Sequence, residues 1–340
     1  MAHTDSLESA LLAAIEEPAI LIESERVIAA NPPALALLGE RIVGHDVRFA
    51  LRHPDALDVI LPGKGGERDL SSLGGRERHW TISVRPLPGK VQLVRLLDRS
   101  AERSAERMRV DFVANASHEL RTPLTTMIGY AETLAEEGDI AEALRVKFGA
   151  TIHSEARRML RIVEDLMSLS RIEADRFVAP SEDVALDEIA RIAAANGQPL
   201  ADQRGCTIAL DVRPAGMIAG DFGQLLQLAD NLVANAIRYG CGAGGTVTIG
   251  AGLEGGRAVL RVVDQGEGIA PDHLARITER FYRVDAARSR DSGGTGLGLS
   301  IVKHIAERHR AVLDISSIVG RGTEVVVAFP LIGSPTSPRA

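Results

Sequence analysis

Residues 112 to 124 read Phe-Val-Ala-Asn-Ala-Ser-His-Glu-Leu-Arg-Thr-Pro-Leu, with His118 at the centre. An unprotonated imidazole nitrogen is a nucleophile, and the neighbouring carboxylate of Glu119 can hold or take the proton on the other ring nitrogen. Thr122 follows His118 by one helical turn and lies on the same flank. Pro123 has no amide proton, so it leaves the Glu119 carbonyl unpaired and is expected to bend the helix one turn past the histidine. From this stretch alone, a surface histidine on a bundle helix and a reactive one are both open.

Three further clusters follow in the chain. Asn231 and Asn235, in Asn-Leu-Val-Ala-Asn-Ala-Ile-Arg-Tyr, stand one helical turn apart and face the same way. Their amide oxygens are hard ligands suited to a Mg²⁺ that also holds phosphate, although a hydrogen-bonded helix gives the same pattern. Asp264-Gln-Gly266-Glu-Gly268-Ile269 sets a carboxylate at the end of a strand, where it can accept from an exocyclic amine, with glycines for a tight turn against a flat ligand. A plain turn is the competing reading. Gly293-Gly294-Thr295-Gly296-Leu297-Gly298-Leu299 runs into a helix and offers unblocked amides and the helix dipole to phosphate. No Lys-Ser or Lys-Thr follows its last glycine, which excludes a Walker loop, and no strand enters it, which excludes a dinucleotide fingerprint.

His-Glu-Leu-Arg-Thr-Pro followed by these clusters in this order resembles the sensor histidine kinases of two-component systems, over residues 98 to 331. The resemblance implies that ATP phosphorylates His118, that Glu119 works on the ring proton, and that Thr122 helps orient water when the enzyme dephosphorylates its partner. It implies Asn231 and Asn235 for Mg²⁺ and phosphates, Arg238 and Tyr239 lining the nucleotide, and Asp264 reading the adenine amine. Gly266, Gly268, Ile269, Gly294, Thr295, Gly296, Leu297 and Gly298 shape the pocket, and 320 to 323, with Thr323, close it. Residues 278 to 290 correspond to the ATP lid, with Tyr282 and Arg283 on the nucleotide.

Thr278 stands where most of the family has phenylalanine, and Ala311 where a glycine is usual. With Glu-Arg-Phe-Tyr-Arg-Val-Asp and Ile-Val-Lys-His, the first departure looks most like the phosphate-regulon branch. The implied partners are a second copy of the chain and an aspartate on a PhoB-like response-regulator receiver domain. Redox, light or cell-cycle input, or a non-catalytic scaffold, remain as alternatives.

These groups need elements to hold them. Val113, Ser117, Leu120, Leu124, Met127, Ala131 and Leu134 fall on one 3.5-residue seam, with His118 about 100° off it. A second helix is expected over 141 to 174, with Ile152, Ala156, Met159, Val163 and Leu166 on its seam and His153 beside it as a structural residue. One narrow stripe per helix predicts a homodimeric four-helix bundle. The charged run from 98 to 111 enters the first helix without a glycine or proline, which favours a coiled-coil connector over a solvated helix.

After Phe177 the pattern becomes mixed: helices over 186 to 195, 223 to 239 and 300 to 308, and strands over 207 to 212, 246 to 251, 258 to 264, 312 to 316 and 324 to 329. Before the connector, a short helix at 11 to 15, a hairpin at 19 to 22 and 26 to 29, a helix from 32 to 38 capped by Asn31, and strands at 80 to 84 and 91 to 97 resemble a PAS sensor domain. His45, His53 and His79 share no ligand spacing and read as surface or turn residues.

The expected fold is thus multidomain α+β: a PAS-like α/β domain (1 to 97), a connector and dimeric helical-hairpin bundle (98 to 174), an α/β sandwich ATP-binding domain (175 to 332) and a disordered tail (333 to 340). At 340 residues and 45% hydrophobic there is enough chain and apolar content for several packed cores. A net charge of −7 argues against nucleic-acid binding, which wants a basic face. Cys206 and Cys241 lack metal-ligand spacing and read as separate thiols in a reducing compartment. No apolar run approaches the ~20 residues of a membrane span, so a cytoplasmic chain is expected, although many sensor kinases carry membrane helices.

Overall fold

A computed structural model describes residues 10–71, 73, 78–136, 140–175, 177–242, 244–284 and 294–332, apart from the side chains of Ala105 and Arg109. The expected break at Gly138, the lid residues from 285 to 290, Gly293 and the tail from 333 lie outside them. The chain divides into two compact units, Met1–Val113 and Ala114–Ala340.

In the first unit, β1 (Ala19–Glu23), β2 (Arg26–Ala30), β3 (Gly66–Ser71), β4 (His79–Pro86) and β5 (Val91–Asp98) form an antiparallel sheet in the order β2-β1-β5-β4-β3. Helices α1 (Pro32–Leu38), α2 (Val47–Ala50) and α3 (Pro54–Ile60) connect β2 to β3. Ile20, Ile22, Ile60, Ile82 and Leu96 share one core, whereas Ala19 and Leu21 pack with Leu12 in a second. That division follows from the alternation of side chains across a strand. Asn31 is the expected cap of α1: its Oδ1 accepts from Ala34 N and Ala19 N, and its Nδ2 donates to the carbonyls of Ile15 and Glu17. The sequence reading omitted α2, α3 and β3, all short and weakly patterned. His45 stacks on Phe49, His53 meets the Ser71 carbonyl, and His79 meets Arg107.

Helix α4 (Ser100–Ala135) starts where Asp98 Oδ1 accepts from Ser100 N at 2.9 Å, and it continues through Pro123. Helix α5 (Glu142–Ala174) follows. Its buried residues are Arg158, Ile162, Leu169 and Ile172, not the expected seam. These four fall on a second stripe on a helix that packs against the helix Gly298–Arg308, so α5 carries a second apolar face in Ile162, Leu169 and Ile172. The expectation of one is corrected: Leu160, Val163 and Met167 stay exposed on the other.

The remaining chain places helices against one face of a sheet. Strands β7 (Thr207–Val212), β9 (Thr246–Glu254), β10 (Arg257–Val263), β11 (Val312–Ile318) and β12 (Gly322–Pro330) run in the order β11-β12-β10-β9-β7, with only β7 and β9 parallel. Helices α6 (Leu186–Arg204), α7 (Phe222–Gly240) and α9 (Gly298–Arg308) pack together on it, and β6 (Glu182–Ala185) pairs with β8 (Met217–Gly220). A short α8 (Pro271–Leu274) precedes the third cluster. Helix α6 passes Pro199 and ends nine residues later than expected, at a left-handed Gly205 (φ 66°). Burial of Ala201 and close approach to α7, where a Cβ on Gly197 would lie 2.7 Å from Val233, hold the longer helix.

The expectation of two separate thiols is corrected. Cys206 and Cys241 form a disulfide with Cα atoms 6.2 Å apart. Parallel pairing of β7 with β9 brings the residue before one strand against the loop before the other.

Candidate nucleotide and phosphoacceptor site

Helix α7 begins at Asp221, whose side chain accepts from Gln224 N, and its hydrophobic stripe of Leu225, Leu228, Leu232 and Ala236 faces the core. The opposite flank carries Asn231 and Asn235, both half-buried. They lie under the start of α9: a Cβ on Gly298 would sit 3.1 Å from Asn231 Oδ1 and 3.7 Å from Asn235 Nδ2. Among the described residues no side chain caps α9 at Leu297, and a helix start of this kind suits an anionic acceptor.

At the other end of α7, Asp264 follows β10. A Cβ on Gly240 would collide with its carboxyl at 2.1 Å, and one on Gly266 would strike Gly240 Cα at 2.4 Å. Glycine is therefore required at both places by close backbone approach. Asp264 Oδ1 accepts from Gly266 N at 3.0 Å and Thr323 N at 3.1 Å. Burial pushes its carboxyl above the ordinary aspartate value, against those two bonds. Gly322 packs on the Asp264 carbonyl and Gly268 (φ 69°) on Ile318, so the 264 to 269 and 318 to 323 segments meet. Ile269 N donates to Ser317 Oγ, which also meets Thr323 Oγ1. Asp264, Gly266, Gly268, Ile269 and Thr323 are thus brought together. Tyr239, one residue before Gly240, is half exposed.

Arg238 turns towards α5. Burial pushes its guanidinium below the ordinary arginine value, and Asp165 and Arg161 act on it. Asp165 is itself raised by burial, and its Oδ2 accepts from Thr295 Oγ1 at 2.7 Å. Thr295 Oγ1 in turn accepts from Leu297 N. Gly296 takes φ 75° beside Phe281, and Tyr282 Oη meets His273 Nδ1 at 2.7 Å. Arg283 donates to the Gly294 carbonyl at 2.6 Å.

His118 and Thr122 are exposed, and Thr122 Oγ1 donates to the His118 carbonyl at 3.2 Å. Glu119 Oε2 accepts from Arg158 at 2.7 Å and from Arg283 at 3.3 Å. The carboxylate beside the histidine is therefore bound by a guanidinium from α5 and another from the segment before the third cluster. Arg280 and His304 meet Glu173, and Arg308 Nε donates to the Asp175 carbonyl.

The sequence reading missed Arg158, Asp165 and Glu173. A signal existed: 158, 162, 165, 169 and 172 repeat at steps of four and three, a second heptad stripe beside the one singled out. His309 was also missed. It is buried, accepts from Asp221 N at Nε2, and bonds the Ile305 carbonyl through Nδ1, tying the end of α9 to the start of α7.

Asn231 Oδ1 below the start of α9, with the Asn235 carboxamide one turn along beside it, fits a divalent cation holding phosphates. Two family models match: the His Kinase A phospho-acceptor domain at residues 108–175, and the histidine kinase-, DNA gyrase B- and HSP90-like ATPase at 220–333. The chain is 41% identical over 224 residues to the phosphate regulon sensor protein PhoR of Pseudomonas aeruginosa, covering 66% of this chain and 50% of that protein. It is 35% identical to the sensor-like histidine kinase SenX3 of Mycolicibacterium smegmatis, covering 86% and 73%. The chain thus spans half the length of the first relative and about three quarters of the second. Full-length ShkA in complex with AMPPNP is similar at 30% identity and a TM-score of 0.48, over 66% of this chain and 45% of that one. With both domain matches in the expected order and a relative matched over most of its length, the chain belongs to the sensor histidine kinases.

Proposed function

We propose that the chain binds ATP between α7, α9 and the Asp264 turn, and transfers its γ-phosphoryl group to His118. The observation that carries this reading is the meeting of a buried carboxylate, a pair of carboxamides and a helix start along one helix, α7. Asp264 accepts from the adenine amine, Asn231 and Asn235 hold Mg²⁺, and the α9 amides take phosphate oxygens. Bound there, Mg²⁺ would supply neutralisation of phosphate charge. Phosphoryl transfer depends on placement and charge neutralisation more than on covalent help, which suits this division of labour. Glu119 takes the proton from the second ring nitrogen of His118 as the first attacks.

The phosphoryl group then passes to an aspartate of a response regulator, and Thr122 orients water for the reverse dephosphorylation. The domain boundaries proposed are 1 to 97, 98 to 174 and 175 to 332, with the first unit a PAS-like sensor, a reading its strand order supports. Exposed Leu124, Ile128, Leu160, Val163 and Met167 support a homodimeric bundle. Similarity to PhoR supports phosphate limitation as the signal, a PhoB-like regulator as the partner and the cytoplasm as their meeting place.

Incubating the full chain with γ-labelled ATP tests the reading. The expected label is acid-labile, alkali-stable and absent from His118→Gln; acid-stable label, or label retained by that variant, overturns it. Loss of regulator dephosphorylation in Thr122→Ala, with autophosphorylation kept, is the expected sign of the second activity.

A further inference from the structure

Arg158 is the residue that the kinase reading leaves unexplained. It lies 39 positions from Glu119, its side chain is 8% exposed, and its Nη2 donates to Glu119 Oε2 at 2.7 Å. Its Nη1 is 3.7 Å from Glu155, and its Nε is buried without a partner among the described residues. A buried guanidinium with an unmet N–H is a poor way to stabilise a helix hairpin, because an apolar residue of similar volume would serve as well or better. The contact therefore asks for a role in the chemistry of its partner.

That partner is the residue next to His118. A glutamate has three rotatable side-chain bonds, and neighbours on a helix point about 100° apart, so an unrestrained Glu119 spends little time against the His118 ring. Arg158 fixes one of its oxygens. Arg283 reaches the same oxygen at a longer 3.3 Å, and it also donates to Gly294 in the nucleotide-binding segment. Arg283 is free to exchange Glu119 for phosphate oxygens when ATP binds; Arg158, buried on α5, stays.

We propose that Arg158 is a positioning residue for phosphoryl transfer, holding Glu119 Oε2 so that Oε1 is presented to the proton of the His118 ring. The proposal rests on the kinase reading. In the step, one ring nitrogen of His118 forms the bond to the γ-phosphorus, and the bond from that phosphorus to the bridging oxygen breaks with its electron pair leaving on ADP. The proton on the other ring nitrogen goes to Glu119 Oε1.

The test is the autophosphorylation rate of the full chain at varied ATP. Arg158→Gln is expected to lower kcat about tenfold or more, a part of the roughly hundredfold or greater effect of a general base, with KM for ATP within about twofold. Arg158→Lys, which keeps the charge, is expected to recover most of the rate. In a Glu119→Gln background, Arg158→Gln is expected to change the rate by less than about twofold, because the group it positions is already gone. An equal loss in both backgrounds, a rise in KM alone, or no rescue by lysine overturns the proposal. Should Arg158→Gln not bind a fluorescent ATP analogue like the wild type, Arg158→Met, which keeps the packed stem, takes its place with the same two outcomes. Wild-type chain that carries no label on His118 overturns the kinase reading itself; labelled wild type with additive losses overturns the role of Arg158 alone.

Discussion

Asp264 concentrates the opposing demands of the nucleotide site. The base-reading role proposed for it goes with burial, and burial raises its carboxyl above the ordinary value. A group whose folded value is raised favours the fold most below its unfolded value and loses that contribution as pH rises, so at neutral pH the ionised Asp264 is a cost to the empty domain. Asp264→Asn removes the charge while its Oδ1 can still accept from Gly266 and Thr323. It then turns an N–H towards the adenine amine proposed as the partner of the carboxylate. The expected outcome is a higher melting temperature without nucleotide and an ATP affinity lower by roughly 10- to 100-fold, the worth of a hydrogen bond to a charged group; calorimetry and nucleotide titration read both. His309 runs the other way. Burial holds it below its usual 6.5, so its contribution is present above that pH and lost as pH falls. A proton on Nε2 would also oppose the Asp221 amide it now accepts from. His309→Gln is expected to flatten the fall in melting temperature below about pH 6.5, leaving a part of like sign from His304, which burial also lowers.

Among the elements, the end of α9 shows how a departure from family pattern is absorbed. The sequence has Ala311 where a glycine is usual, and the structure puts the left-handed residue at Arg310, φ 54°. Arg310→Gly is expected to stabilise the chain by about 1 kcal/mol, the strain of a Cβ in that conformation, measured by urea unfolding. The disulfide ties the turn before β7 to the loop after α7, alongside hydrogen bonds from Gly244 to Gly205 and from Thr207 to Gly245. With the two cysteines 35 residues apart, serine at both is expected to cost up to about 3–4 kcal/mol by loop-closure entropy. Much of this layer was legible in the sequence: β7, α1 and the span of α5 lie within a residue of where periodicity and caps put them, because their stop signals and their burial agree. Helix α6 was not, since Gly197 and Pro199 read locally as a stop and only packing against α7 overrides them. At the site, the glycine and amide clusters were legible because their residue types are chemically uncommon in such spacing. The Arg158–Glu119 and Asp165–Thr295 contacts were not, because charged residues on a helix read as solvated until the fold buries them.

At the scale of the molecule, the question is what covers the second face of α5. Its first face, Ile162, Leu169 and Ile172, is closed by the unit's own packing. Leu160, Val163 and Met167 are 40–54% exposed, and Leu124 and Ile128 on α4 are 45% and 49% exposed. Leaving five large apolar side chains wet in one hairpin is unfavourable, at roughly 25 cal/mol for each Å² that could be buried. In the proposed homodimer a second copy of the same hairpin would supply a matching stripe, because a two-fold axis sets each patch against itself. Val163→Glu with Met167→Glu places four like charges at that axis and is expected to turn a dimer into a monomer at micromolar concentration in sedimentation velocity. ATP affinity is expected to hold, since neither residue touches the nucleotide site. A variant that stays dimeric would move the interface off this stripe. A monomer that still labels His118 at the wild-type rate would show that each chain phosphorylates its own histidine, whereas loss of the label with ATP affinity kept would point to transfer between copies.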